Sequence, residues 1–112
     1  MVWIAMEKRT KNRIARRLFI RFGPDNTLNI GFTGDISLTG IFIKTNTVFA
    51  PGSILTMEIE LPDSKVVHLK GTVMWAKRVP PTLVRHVKKS GMGVRILQPP
   101  EEYIKFMSSQ EA

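Results

Sequence analysis

The sequence is divided into short runs in which apolar and polar residues alternate, and turn residues separate the runs. The cleanest run covers residues 55–61, where leucine, methionine and isoleucine occupy every second position. Successive side chains of a β-strand point to opposite faces, so this run predicts a strand with one buried face. Similar runs cover residues 17–22, 27–36, 41–45, 67–75 and 91–97. The pattern restricts the chain to folds that are built mainly from a β-sheet.

Turn signals and one helical pattern complete this outline. Gly-Pro-Asp-Asn at residues 23–26 and Pro-Asp-Ser at residues 62–64 are strong turn signals. Two prolines and two glutamates at residues 99–102 suit the start of a helix, and residues 103–107 carry its apolar stripe. Six strands and one terminal helix predict an all-β fold, a six-stranded antiparallel β-barrel whose closure removes exposed strand edges.

The composition is that of one ordinary folded domain with an excess of positive charge. The 112 residues include 17 Lys and Arg and nine Asp and Glu, which gives a net charge of +8. This charge indicates an anionic partner, which could be nucleic acid, an anionic membrane surface or a phosphorylated small molecule. The sequence has no cysteine, which excludes disulfide scaffolds, thiolate zinc sites and cysteine nucleophiles and is compatible with the cytoplasmic location that we expect.

The apolar opening of the chain does not have the pattern of a membrane span or a signal peptide. Residues 1–6 are too few to cross a bilayer and lack the charged-then-apolar order of a leader. We therefore expect no membrane insertion. Positive charge gathers just after this stretch, in residues 8–21, where seven of fourteen residues are Lys or Arg and none is acidic. Such density is typical of a solvated flank or of a polyanion site.

The candidate site is the stretch Asp-Ile-Ser-Leu-Thr-Gly at residues 35–40, between two predicted strands. From residue 28 the apolar positions are Leu28, Ile30, Phe32 and Ile36, and we expect them to face the core. Asp35 and Ser37 should then project together from the polar face. Gly40 suits a tight reversal into the next strand. Taken alone, the same residues are also typical of an ordinary hairpin turn.

Arginines upstream of this stretch change its interpretation. Arg9 and Arg13 are four residues apart, and Arg13 and Arg17 repeat the spacing. An RxxxR pair followed by DxSxxG, here beginning at Asp35, resembles the PilZ domain, a bacterial receptor module for the second messenger cyclic di-GMP. Residues 71–76 and 91–95 also resemble the later strands of that family, so the resemblance covers most of the chain. It implies a PilZ-like barrel and a signalling receptor that binds cyclic di-GMP, without a cofactor, and acts on a downstream protein.

The resemblance also implies a set of ligand-binding residues. These are Lys8, Arg9, Arg13, Arg17, Asp35, Ser37, Gly40, Trp75 and Gly93. We take Arg9 and Arg13 as the binding pair, because Ile14-Ala15 and the following strand are similar to the family's run after its second arginine. The register with Arg13 and Arg17 as the pair is the alternative. Binding is expected to order the N-terminal segment over the barrel.

The chemistry of the ligand suits these residue types. Arginine pairs bidentately with phosphate oxygens or with O6 and N7 of guanine. A carboxylate such as Asp35 can accept hydrogen bonds from N1 and N2 of guanine on the opposite edge. Trp75 offers a ring for stacking on guanine, although a tryptophan in an alternating strand is more typical of a core residue.

These inferences divide the chain into three parts and leave two alternative functions. We expect a flexible basic segment carrying RxxxR at residues 1–14, the β-barrel at residues 15–98 and the helix at residues 99–112.

An enzyme is not predicted, because His68 falls on an outward strand position and His86 in a basic loop, and neither is placed for a catalytic triad. The alternatives are a small basic barrel that binds single-stranded nucleic acid, and a PilZ-like adaptor that binds protein only.

Overall fold

The computed structural model describes residues 13–78 and 90–111. The predictions for Lys8, Arg9 and His86 with its basic loop therefore lie outside the described residues. Over the described ranges the chain forms seven strands and a helix. The strands are β1 (Ile14–Ala15), β2 (Phe19–Gly23), β3 (Asn29–Ile36), β4 (Gly40–Lys44), β5 (Ile54–Glu60), β6 (Val66–Lys77) and β7 (Gly91–Leu97), and the helix is α1 (Glu101–Glu111).

Six of the strands close into an antiparallel barrel. Their order is β3-β2-β5-β6-β7-β4, and pairing of β3 with β4 completes the circle. The two residues of β1 add a short antiparallel pair to the end of β3, where Ala15 lies opposite Asp35. The all-β barrel with a terminal helix is therefore confirmed, and β1 is a strand that alternation could not reveal because it has only two residues.

The barrel interior is a single apolar core. Its most deeply buried side chains come from five strands and include Ile20, Phe22, Ile36, Ile43, Leu55, Met57, Ile59 and Met92. The helix α1 adds Tyr103 and Met107 to the same core. Within the described ranges, no helix combines the length and the apolar content that a bilayer crossing requires.

A β-bulge in β3 reverses the side-chain alternation that the sequence suggested. Thr33 lies opposite Ile43 and Ile36 lies opposite Ile41, so an extra residue is inserted into β3 across from Phe42. The expectation that Leu28 and Ile30 face the core is wrong, since these side chains are 81% and 59% exposed. Only Ile36, beyond the bulge, is buried as expected. One inserted residue shifts every side chain on one side of it to the opposite face.

The residues of β3 that point inward before the bulge include one polar side chain. Thr33 is fully buried, and Phe32, which was expected in the core, is only half-buried on the outer face. The Thr33 hydroxyl accepts a hydrogen bond from the Leu18 amide at 2.9 Å and donates to the carbonyl of Arg16. These bonds satisfy the buried hydroxyl and hold the segment before β2 against β3.

A second bulge, in β6, turns a tryptophan outward. Val73 pairs with Val94 of β7, but Trp75 pairs with Gly93, so Met74 is the inserted residue. Val73 is buried, whereas Met74 and Trp75 are 53% and 48% exposed. The interpretation of Trp75 as a core residue is therefore wrong, and the bulge is the reason.

Candidate functional site

Two aromatic rings form a flat layer on the outside of the barrel. The rings of Phe42 and Trp75 are stacked, with centroids 5.5 Å apart and planes inclined by 19°. Glycines make room for them. A Cβ at Gly93 would overlap the indole of Trp75, and one at Gly34 or Gly91 would come within 2.7 Å of the Phe42 ring. A side chain at any of these positions would displace the layer.

A pocket of about 370 Å³ lies beside this layer and next to the turn between β3 and β4. We call it the turn pocket. Phe42, Met74 and Arg95 are among the residues that line it. Six of the predicted site residues also line it: Arg13, Asp35, Ser37, Gly40, Trp75 and Gly93. The structure therefore brings residues from four separate parts of the sequence to one surface.

The turn beside the pocket is built by Ser37. The Ser37 hydroxyl accepts hydrogen bonds from the amides of Gly40 at 3.1 Å and Thr39 at 3.3 Å, and the Ser37 amide donates to the Gly40 carbonyl at 2.8 Å. Ser37 is buried, whereas Asp35 is exposed. The expectation that the two side chains project side by side is wrong, because the Ser37 hydroxyl closes the turn. Ser37 therefore shapes the pocket while Asp35 points into solvent.

The turn is also fixed from behind by the helix and by β7. The hydroxyl of Tyr103, on α1, donates a hydrogen bond of 2.6 Å to the carbonyl of Ser37. The ring is fully buried, and burial raises the pKa of the Tyr103 hydroxyl far above its ordinary value, so the hydroxyl keeps its proton. The Ile96 amide donates to the Thr39 carbonyl at 2.9 Å. These two bonds hold the turn at a fixed position relative to the barrel.

A second, more open pocket of about 690 Å³ adjoins the first. We call it the basic pocket. It shares Arg13, Asp35, Phe42 and Trp75 with the turn pocket. Its other charged residues are all cations, namely Arg16, Arg17, Lys44 and Lys77. Among the described lining residues, Asp35 is thus the one acid against five cations, which makes the surface suitable for an anion.

The arginines of the basic pocket have different surroundings. Arg13 immediately precedes β1, whose Ala15 pairs with Asp35, and it lines both pockets together with Asp35. The guanidinium of Arg17 lies over the Phe32 ring, 3.8 Å from its centroid. The guanidinium of Arg16 donates to the side-chain oxygen of Gln110 on α1. Arg16 and Arg17 therefore already have partners within the fold.

The structure adds residues that sequence reasoning did not single out. Phe42, Met74 and Arg95 line the turn pocket, and Arg16, Lys44 and Lys77 line the basic pocket. Arg95 follows Gly93 by two residues and so shares its outward face on β7. The two-residue spacing from Gly93 could therefore have identified Arg95 as a site residue from the sequence. Phe42 and Lys44 likewise alternate with buried isoleucines on β4.

The arrangement suits a ligand that is both anionic and aromatic. Cations can neutralise phosphate groups, an exposed indole face can stack on a base, and Asp35 can accept hydrogen bonds from a base edge. A nucleotide combines all three properties.

Comparisons with known proteins agree with this description. The family model described as PilZ domain matches residues 7–107. Among solved structures, the chain is similar to the Bacillus subtilis inhibitor of motility MotI/DgrA, with a TM-score of 0.68 and 16% sequence identity. The match covers 88% of this chain and 49% of that chain, so the chain spans about half the length of this neighbour. At this identity the likeness is one of fold. No curated protein sequence is similar enough to count as a relative.

Proposed function

The chain belongs to the PilZ domain family, whose members are cyclic di-GMP receptors and act by binding, and on this premise we propose that it binds cyclic di-GMP at the turn and basic pockets. The observation that carries the proposal is the stacked layer of Phe42 and Trp75. It presents an indole face between one carboxylate, Asp35, and a group of cations. Cyclic di-GMP has two guanine bases and two phosphates, each with one negative charge, and so matches every part of this surface.

Trp75 and Asp35 recognise a guanine base in this proposal. One face of the Trp75 indole is covered by Phe42, and about half of the side chain is exposed. Stacking of a base on an aromatic side chain contributes roughly 1–3 kcal/mol. The Asp35 carboxylate accepts hydrogen bonds from N1 and N2 of the stacked guanine, which distinguishes guanine from adenine.

The arginines hold the phosphates and the other guanine edge. We assign this role to Arg9 and Arg13, with Lys8 beside them, and place Arg17 at the margin of the site. The contact of Arg17 with Phe32 supports this register, because a guanidinium over an aromatic ring is already partly stabilised. Arg13 belongs to both possible pairs and is exposed beside Asp35. It is therefore the arginine on which the proposal depends most.

Ser37, Gly40 and Gly93 shape the site without contributing charge. Ser37 closes the turn, and Gly40 lies on the outward face of β4 beside Phe42. A side chain at Gly40 would occupy the turn pocket, and one at Gly93 would displace Trp75. All three positions therefore protect the space that the ligand needs.

Binding in this proposal also brings residues 8–17 across the two pockets, since Arg9 and Arg13 meet the same ligand. The ordered segment and the bound nucleotide then form a new surface for a downstream protein. PilZ domains bind partner proteins as well as cyclic di-GMP. The function we propose is therefore that of a receptor and adaptor.

Titration calorimetry of the full chain with cyclic di-GMP tests the proposal, with GTP and a short single-stranded oligonucleotide as comparisons. We expect heat of binding with cyclic di-GMP and much weaker binding of GTP, which offers only one base. Absence of cyclic di-GMP binding by a folded protein would favour an adaptor that binds protein only.

A specific observation favours nucleic acid as a second candidate. The rings of Phe19 and Phe32 meet edge to face on the outer surface of β2 and β3, and the guanidiniums of Arg17 and Arg21 lie over them. Cations beside aromatic rings are typical of surfaces that bind single strands. Salt separates the candidates, because oligonucleotide affinity should fall steeply with added salt and cyclic di-GMP affinity much less.

A further inference from the structure

A third surface, which adjoins the turn pocket at Met74 and Arg95, has the character of a docking groove. It is an open cavity of about 900 Å³ on the outer face of β6 and β7, and it extends to Pro100 at the start of α1. We call it the β6–β7 groove. Its outward residues include two cations, Lys70 and Arg95, together with His68, whose ring lies 3.6 Å from the Glu58 carboxylate on β5. Neither Asp nor Glu appears among the described residues that line it.

Apolar side chains are mixed with these cations. Met74 and Leu97 are 53% and 38% exposed, and both line the groove. Leu97 lies directly opposite Lys70 in the pairing of β6 with β7, so an apolar side chain and a cation stand side by side. Exposure of the Met74 and Leu97 side chains to water costs free energy, and a partner that covers them would remove this cost.

We propose that the β6–β7 groove binds an acidic peptide segment of a partner protein, with apolar side chains of the segment placed against Leu97 and Met74. We choose an acidic peptide because its charge is complementary to the cations of the groove. Carboxylates of the segment pair with Lys70 and Arg95, while its apolar residues bury the exposed methionine and leucine. The proposal goes beyond cyclic di-GMP binding, because it assigns a different class of ligand to an adjoining surface that shares only Met74 and Arg95 with the turn pocket.

Single-stranded nucleic acid fits the groove less well than an acidic peptide does. A single-stranded nucleic acid gains most of its short-range affinity from stacking on large aromatic side chains, and the described residues of the groove include no Phe, Tyr or Trp. An amphipathic acidic segment uses both the cations and the aliphatic groups.

A peptide selection on the full chain tests this assignment. Random peptides of about twelve residues, displayed on phage, are selected against the immobilised protein. We expect enriched peptides to be acidic and to carry leucine, methionine or phenylalanine. Fluorescence anisotropy of a labelled enriched peptide should then show about a tenfold loss of affinity for Lys70→Glu and for Leu97→Ser.

Two matched controls are available on other faces of the barrel. Lys65→Glu makes the same charge change in the turn before β6, and Leu28→Ser makes the same polarity change beside β3. Both variants should bind the peptide as the wild type does. Thermal melts by circular dichroism establish that every variant is folded, and calorimetry with cyclic di-GMP should give wild-type affinity for Lys70→Glu and Leu97→Ser. A loss of cyclic di-GMP affinity in these two variants would place Lys70 and Leu97 in the nucleotide site and would overturn the assignment of the groove to a peptide.

Several results would overturn the proposal. The proposal is wrong if the selection enriches basic peptides or no peptides, or if Lys70→Glu and Leu97→Ser both bind the peptide with wild-type affinity. It is also wrong if Lys65→Glu and Leu28→Ser lose as much peptide affinity as the two groove variants. The groove would belong to another partner if it bound no peptide and if Lys70 and Leu97 were instead required for binding phosphatidylglycerol vesicles or a single-stranded oligonucleotide.

Discussion

Phe42 and Trp75 stack on each other although they come from strands that are not neighbours in the barrel. Phe42 is on β4 and Trp75 on β6, and β7 runs between them. Both residues lie directly opposite Gly93 of β7, one on each side, and the rings meet above this glycine with centroids 5.5 Å apart. The absence of a side chain at one position on β7 thus allows two distant residues to form one binding surface.

Loss of the indole should weaken cyclic di-GMP binding. Trp75→Ala removes the stacking face, and we expect a loss of about 1–3 kcal/mol of binding free energy in calorimetry, with Trp75→Phe losing less. Trp75 is on the outer face, so the free energy of unfolding should fall by only about 1 kcal/mol from the lost contact with Phe42. Wild-type affinity in a folded Trp75→Ala protein would place the base elsewhere.

Gly93→Ala should weaken binding without touching the ligand directly. The added Cβ overlaps the indole, so Trp75 must rotate away from Phe42 and the stacking face is lost. We expect Gly93→Ala to approach the affinity of Trp75→Ala. The double variant should be little weaker than either single variant, since both remove the same interaction. Additive losses in this cycle would show that Gly93 acts in some other way.

The six strands of the barrel could be predicted from the sequence, but the two-residue strand β1 and the faces of two strands could not. The alternating run at residues 55–61 became β5, and the six main strands and the helix were confirmed. Alternation assumes an unbroken period of two, and the bulges in β3 and β6 each break it. For that reason the sequence suggested a buried Ile30 and a buried Trp75, and both are exposed.

The candidate site was predicted only where its residues are close in sequence or belong to a motif. Asp35, Ser37 and Gly40 were found together in one short stretch. Phe42 was missed because its place in the site depends on the pairing of β4, β7 and β6, which is decided by contacts between distant parts of the chain. Arg95 could have been found from its two-residue spacing from Gly93. Alternation shows which residues share a face of one strand, but not which strand lies beside it.

Asp35 should determine the preference for guanine. Asp35→Asn keeps one acceptor but replaces the second with a donor, which opposes the N1 and N2 hydrogens of guanine. We expect calorimetry to show at least about a tenfold loss of cyclic di-GMP affinity, in line with a charge-assisted hydrogen bond, and a smaller advantage over cyclic di-AMP. Asp25→Asn, in the exposed turn between β2 and β3, is the matched control and should have no effect. Equal behaviour of the two variants would remove Asp35 from the site.

Tyr103 should make the stability of the protein sensitive to alkaline pH. Its folded-state pKa is raised by burial, so above the unfolded-state pKa of about 10 only the unfolded chain releases this proton. Stability from the neutral hydroxyl is therefore complete below that pH and decreases as the pH rises further. Tyr103→Phe cannot ionise, and urea unfolding at pH 9 and pH 11 should show a smaller pH-dependent loss than in the wild type. At neutral pH the variant should lose about 1–3 kcal/mol, because the Ser37 carbonyl loses its donor.

Cyclic di-GMP should slow backbone amide exchange across residues 8–17. In the proposed complex, Arg9 and Arg13 both contact the ligand at the basic pocket, so the segment between them is fixed against the barrel and its amides are shielded from solvent. Hydrogen–deuterium exchange followed by mass spectrometry, with and without saturating nucleotide, measures the change for this segment. The turn at residues 62–65 provides an internal reference outside both pockets and should exchange equally in the two samples. The Arg13→Ala variant, given the same nucleotide concentration, should show no slowing. Unchanged exchange in a wild-type protein shown by calorimetry to be saturated would mean that the ligand is held by the barrel alone and that the N-terminal arginines do not close over it.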